Sequence, residues 1–194
     1  TKFDRMIEFG KVLPALRAQM ERDLRNEGMS QEKVIATVVK LMEQTSIRIG
    51  NDTYEKENGS YGLTTLKNRH VKINGNHIRF SFVGKKGVSH SITLKSKRMA
   101  RLVKQCIEIP GKELFQYING DGIPRVIDSG KVNAYIKAVT EKDLTAKDFR
   151  TWTGSVIALR AFKSAGPAEN PTAAKKKIIE VLDCVSKQLG NTRS

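Results

Sequence analysis

Cysteine is nearly absent. Cys106 and Cys184 are the only two in 194 residues, too few for a disulfide framework and at no zinc-ligand spacing. Both lie in apolar-periodic stretches, RLVKQCIEI and IIEVLDCVSKQL, so buried free thiols are expected, which fits a reducing compartment. The three histidines, His70, His77 and His90, stand on or beside predicted strands without ligand spacing, so neither a metal nor a cofactor is expected. No apolar run reaches transmembrane length and no secretory leader is visible, so no membrane partner is expected. There is no internal repeat. The longest soft stretch is SAGPAENP, Ser164 to Pro171, a loop.

Acidic residues are also scarce. Lysine and arginine number 35 against 20 acids, a net charge of +15. Such a field attracts polyanions, nucleic acid first and an anionic membrane surface second. The excess is concentrated: residues 51–104 carry 12 basic groups and 3 acidic ones, whereas residues 105–150 carry 7 of each. A surface charged only for solubility would be more even.

What is present is helix signal around a short stretch of strand signal. PALRAQMERDLRNEG reads as a helix opened by Pro14 and closed by Gly28. SQEKVIATVVKLMEQTSIRIG reads as a second, capped by Ser30, ended by Gly50, with Arg48 in its last turn. NDTYEKENGSYGLTTL reads as a loop. HVKI and HIRFSFV flank Asn74-Gly75, a hairpin signal, and VSHSITL adds a third strand, all with period two. SKRMARLVKQCIEI is helical, ELFQYI is extended, and Asn119 to Pro124 is a turn. SGKVNAYIKAVT is a short helix. TAKDFRTWTGSVIALRAF follows, with Thr145 and Asp148 as a capping box. PTAAKKKIIEVLDCVSKQLG closes the series between Pro171 and Gly190. The expected class is α+β, mostly helical: about six or more helices around a small three-stranded antiparallel sheet. It reads as one domain over 1–194, helical in 1–50, sheet in 68–95, and helical again in 96–194.

The hairpin FVGKKGVSH puts two lysines at a glycine-flanked tip. In an arbitrary hairpin they would be ordinary turn polarity. Arg48 in TSIRIGNDTYEKENG and Arg150 in TAKDFRTW stand on either side of it in the chain. A lone Arg48 near a helix C-terminus would be a surface partner of the helix dipole. Arg150 in a first turn opposes the dipole, which suggests an anionic ligand nearby. Trp152 reads as core, and Lys175 to Lys177 as a solvated helix face.

Taken in order, the long Arg48-to-Ile73 stretch, the glycine-lysine hairpin and the Lys147-x-x-Arg150 step resemble the catalytic domain of the small type IB DNA topoisomerases, the poxvirus and bacterial kind. The resemblance runs from about Lys2 to Ser194, and its implied fold is the one shared by tyrosine recombinases and these topoisomerases. It implies relaxation of supercoiled duplex DNA through a 3′-phosphotyrosyl intermediate, without metal or ATP. It implies Arg48 and Arg150 as a clamp on the scissile phosphate, Asn191 as a third phosphate contact, and Lys85 as the general acid. Lys147 and Tyr54 match further DNA contacts, and Lys67, Arg69 and Lys86 are expected on the DNA face. The physics suits these roles. Guanidinium forks match the equatorial phosphate oxygens, and a lysine beside two arginines can surrender its proton to the leaving oxygen.

The family's N-terminal β-rich domain would precede Thr1. Its nucleophilic tyrosine would follow Ser194, because Tyr54, Tyr61, Tyr117 and Tyr135 all lie in the wrong segments. Asn51 stands where the poxvirus enzymes carry a base-reading lysine, so their pentamer specificity is not carried over. A tyrosine recombinase, which would show His-x-x-Arg in place of KDFR, and a non-catalytic DNA-binding module are the alternatives. A monomer in the bacterial nucleoid is expected, with nuclear and viral settings as the other options.

Overall fold

The computed structural model describes residues 1–191. The three residues after them, and with them the place where the nucleophilic tyrosine was expected, lie outside the described residues. Among the described residues there are seven α-helices, a three-stranded sheet and a two-stranded sheet, the expected helical α+β class.

Helix α1 (Lys2–Asp23) starts at Thr1, whose hydroxyl and the Asp4 carboxylate form a capping box. Pro14, expected to open the helix, lies inside it. An interior proline costs about 3 kcal/mol. Phe9, Leu13, Leu16 and Met20 on one stripe are all buried, and at about 1.5–3 kcal/mol each they outweigh that cost.

Helix α2 (Gln31–Thr45) begins at Ser30 as the sequence indicates, but it ends at Ser46, which turns left-handed at φ 57°. Gly50 is therefore not its terminus, and Arg48 lies beyond the helix, outside any regular element. The stretch read as loop holds a short helix α3 (Asp52–Asn58), started by Asn51 Oδ1 accepting from the Thr53 N–H at 2.8 Å.

Strands β1 (Val71–Asn74), β2 (His77–Val83) and β3 (Ser89–Lys95) pair antiparallel in that order. Ile78, Phe80 and Phe82 face the core as the alternation predicts. Helix α4 (Lys97–Ile107) follows. Strands β4 (Gln116–Ile118) and β5 (Pro124–Val126) form the second sheet, so the segment after the predicted turn is itself a strand.

Helices α5 (Ser129–Thr140), α6 (Ala146–Ala165) and α7 (Pro171–Leu189) complete the chain. The core centres on α2, with Phe9, Phe80, Phe115 and Phe149 around it and Phe9 edge-on to Phe149 at 4.9 Å. Cys106 is buried there, and Trp152 packs on the core from its edge.

Helix α7 lies mainly on α6, and Val181 is its only fully buried residue. That is why Cys184, expected inside, is only half-buried. Lys177 is not simply solvated either. Its ammonium caps the end of α6, donating to the Ala165 and Pro167 carbonyls at 2.8 and 2.6 Å. No helix among the described residues is long and apolar enough to cross a membrane.

Candidate active site

The segment after α2 is pinned by a turn further along the chain. The Leu63 N–H donates to the Arg48 carbonyl at 2.8 Å, and Thr64 donates to the Ile49 carbonyl from both its N–H and its hydroxyl at 2.7 and 2.8 Å. The chains approach so closely that a side chain on Gly62 would place its Cβ 2.3 Å from the Gly50 nitrogen. Arg48 is thereby aimed by backbone contacts, and its half-buried guanidinium is held below its ordinary pKa by burial.

Arg150 is aimed by helix α6. Thr145 and Asp148 form the expected capping box, and the same buried Asp148 carboxylate accepts from Arg5 of α1 at 2.6 and 2.8 Å. Arg150 comes after the first turn of α6, where its guanidinium donates to the Ser46 carbonyl and, at 2.9 Å, to the Leu189 carbonyl. These are the C-terminal carbonyls of α2 and α7. The cation is thus met by the negative ends of two other helices. Burial, and then Arg48, push Arg150 down to about 10, which leaves it protonated at neutral pH.

Asn191 follows the left-handed cap Gly190. Its Oδ1 accepts from Arg48 Nη2 at 2.7 Å and from Arg150 Nη2 at 2.9 Å. Three residues separated by up to 143 positions therefore share one oxygen. The two guanidinium groups converge on a point where an anionic oxygen would be strongly held.

Lys85 lies at the rim. The hairpin tip closes through the Gly84 N–H donating to the Val88 carbonyl at 2.7 Å, with Lys86 left-handed at φ 63°. The Lys85 ammonium stands 5.6 Å from the centre of the Tyr54 ring. A cavity of about 550 Å³ is lined by Arg48, Tyr54, Lys85, Lys147, Arg150 and Asn191, six of the nine residues singled out in the sequence.

The other three are elsewhere. Lys86 is exposed beside the tip. Lys67 pairs with Glu55 at 2.7 Å and Glu113 at 2.6 Å, so its charge is already balanced. Exposed Arg69 donates to the Tyr61 hydroxyl at 3.1 Å. On the outer face of the sheet Lys72 stands directly opposite Arg79, two exposed cations in one cross-strand pair.

Sequence reasoning missed His90. It lines the adjoining cavity of about 310 Å³ with Arg48, Lys85 and Arg150, and it stacks on Phe82 with 5.1 Å between ring centres. A Cβ on Gly84 would come 2.6 Å from its Nε2, and one on Gly190 would come 2.9 Å from its Cε1. One imidazole thus fills the space between the Lys85 hairpin and the Asn191 cap. The strand alternation already placed it inward with Phe82, which is the signal that could have found it. Burial first, then Arg48 and Arg150, hold it below the ordinary histidine value.

The family model described as eukaryotic DNA topoisomerase I, catalytic core, matches residues 1–194. The chain is 30% identical to DNA topoisomerase 1B of Acanthamoeba polyphaga mimivirus over 98% of its own length and 59% of that protein. It is 26% identical to DNA topoisomerase 1B of vaccinia virus (strain Copenhagen) over 94% of its length and 56% of the relative. The chain therefore spans somewhat over half of these relatives. Among solved structures, XerH site-specific recombinase bound to difH substrate superposes with a TM-score of 0.52 at 14% identity, covering 93% of this chain and 46% of that one, a likeness of fold alone. The chain belongs to the DNA topoisomerase I catalytic-core family.

Proposed function

We propose that this chain is the phosphate-activating core of a type IB DNA topoisomerase, which relaxes supercoiled duplex DNA by transient cleavage and rejoining of one strand. The observation that carries the proposal is the convergence of Arg48 and Arg150 on the Asn191 oxygen, with Lys85 on the wall of the same cavity.

In this reading the scissile phosphate enters between the two guanidinium groups, which receive the charge that builds on its non-bridging oxygens. Asn191, held through Oδ1, keeps its N–H₂ turned away from the arginines and toward the phosphate. A tyrosine hydroxyl of the whole protein attacks phosphorus as the bond to the 5′ oxygen breaks. The Lys85 ammonium gives its proton to that departing oxygen, and rejoining runs the same steps backwards. The two guanidinium charges stand where a metal-dependent phosphoryl transferase would use a cation, so no metal is called on. Tyr54 and Lys147 contact flanking phosphates from the cavity wall. Lys86 and Arg69 add outer contacts, whereas Lys67 serves mainly to join α3 to the loop before β4. Arg48, Lys85, Arg150 and Asn191 all come from one chain, which supports a monomer. A bacterial nucleoid, a nucleus or a viral compartment would each supply the duplex.

Relaxation of a supercoiled plasmid by the whole protein tests the reading. Activity should persist without ATP and in excess EDTA. Lys85→Ala should slow strand cleavage by about 10²–10⁴-fold, and a sulfur leaving group at the 5′ position, which needs no proton, should restore it. A whole protein that leaves the plasmid supercoiled refutes the proposal, and a variant that sulfur does not rescue removes Lys85 from the acid role.

A further inference from the structure

His90 has no step in the reaction above, yet it lies between the two elements that deliver Lys85 and Asn191. It stands on β3 directly opposite Phe82 of β2, and the two rings stack across the strands. From there the imidazole fills the space beside two glycines. A Cβ on Gly84 would come 2.6 Å from its Nε2, and one on Gly190 would come 2.9 Å from its Cε1. The residue after Gly84 is Lys85, and the residue after Gly190 is Asn191. Two site residues 106 positions apart are thus each one step along the chain from the same ring.

The two elements are held differently. The hairpin is fixed at its base by the Tyr61 N–H donating to the Val83 carbonyl at 2.8 Å, and at its tip by Gly84 donating to Val88 at 2.7 Å. Helix α7 rests mainly on α6, with Val181 alone fully buried. Its end is drawn toward the site by Arg150 on the Leu189 carbonyl and by both arginines on Asn191 Oδ1. An attraction sets a distance only against a hard stop, and a close-packed ring is one. The ring serves by its shape, because neither of its nitrogens has a hydrogen-bond partner among the described residues. Its charge state suits the place. Arg48, Lys85, Arg150 and Lys187 line the cavity beside it, and no carboxylate does. Burial and the two arginines favour the neutral form, which adds no repulsion among these cations.

We propose that His90 is a positioning residue: its neutral ring is the spacer that sets the distance between the Lys85 hairpin and the Asn191 cap. Its effect on strand cleavage rests on the function proposed above; its place between the two glycines does not. The ring acts through Lys85 and Asn191 and takes no proton from the reaction. Any planar, uncharged ring of similar reach therefore serves in its place, and a small side chain does not.

Single-turnover cleavage and duplex affinity of the whole protein, measured at one salt concentration and well below each variant's melting temperature, test the role. His90→Ala should slow cleavage by about 10–10²-fold, the scale of loss when a reacting group is misplaced by about 1 Å, and leave affinity unchanged. His90→Phe should restore most of the rate. Gly84→Ala approaches the same contact from the other side. Its backbone, at φ −98°, is open to alanine, but the new methyl group meets the ring. Cleavage should slow, and the methyl group should add no further loss once His90→Ala has removed the ring. Wild-type cleavage by His90→Ala, or rate and affinity falling together, would overturn the proposal. So would a His90→Phe variant as slow as His90→Ala, which would show that the imidazole itself takes part. A wild-type protein that cleaves no DNA refutes the function proposed above instead. The spacer is then judged by the α-proton resonances of Gly84 and Gly190. Both should be displaced by the ring current in the wild type and in His90→Phe and return to ordinary positions in His90→Ala; resonances that do not move would overturn it.

Discussion

At the residue scale the guanidinium of Arg150 answers to three oxygens in different directions: the carbonyls of Ser46 and Leu189 and Oδ1 of Asn191. A lysine has the charge but not the planar fork. Arg150→Lys is therefore expected to lower relaxation by about 10²-fold or more, the usual loss when a transition-state donor is removed. A variant retaining most of its activity would show that charge alone suffices. His90 makes a different prediction. Its folded pKa is depressed by burial and by the two arginines. The unfolded chain thus binds a proton that the folded chain resists. The stabilising contribution is fully present above the unfolded value of about 6.5 and is lost as pH falls below it. His70, depressed by burial and by Arg69 and Lys67, has the same sign. The melting temperature should drop from roughly pH 7 to pH 5, and His90→Asn should flatten that drop. An equally steep drop in the variant would remove His90 as a source.

At the scale of elements the site is an assembly of ends. Helices α2 and α7 bring their C-terminal carbonyls, α6 brings Arg150, and the β2–β3 hairpin brings Lys85. The joint that places Arg48 is the close approach of the Gly62 and Gly50 segments. A methyl group on Gly62 would meet backbone at 2.3 Å from the Gly50 nitrogen and 2.6 Å from the Arg48 oxygen. Backbone cannot swing aside as a side chain does. Gly62→Ala should cost about 1–3 kcal/mol of stability. It should also reduce cleavage in protein that remains folded, because the displaced atom belongs to Arg48. Denaturant titration and single-turnover cleavage check the two effects separately, and wild-type cleavage would show that Arg48 is aimed by something else.

At the scale of the whole molecule the positive field is organised by what balances it. The 51–104 segment has 12 basic residues and 3 acidic ones. Lys67 nonetheless belongs to a structural triad with Glu55 and Glu113. Lys72 and Arg79 face each other on the exposed sheet, and among the described residues no carboxylate pairs with either. Like charges directly opposite are destabilising by some tenths of a kcal/mol, and backbone phosphates would relieve that. If about six phosphates are neutralised, log K for duplex DNA should fall against log salt with a slope near −5. Lys72→Gln with Arg79→Gln should reduce its magnitude by about 2, while Lys67→Gln should lower the melting temperature with little change in slope. The reverse pattern, measured by fluorescence anisotropy across a salt series, would move the DNA face away from the sheet.

The class of fold, the three-strand pairing, the caps at Ser30, Thr145 and Gly190, and the residue types of the site could be read from the sequence. Each depends on a local rule: period two or period 3.6, a side-chain oxygen before a helix, a glycine after one. Pro14 and Arg48 were misplaced by the same rules. A core stripe through Phe9 and Leu16 overrides a helix breaker, and a left-handed Ser46 ends a helix before the glycine that was expected to do so. What tertiary structure alone decided is which charges remain free. Nothing near Lys67 in the chain announces Glu113. Nothing near Arg150 announces the carbonyls of Ser46 and Leu189. Ion pairing and dipole compensation act through space over a few ångströms. They join residues dozens of positions apart, and only the packed chain determines which cations are left to meet an anion.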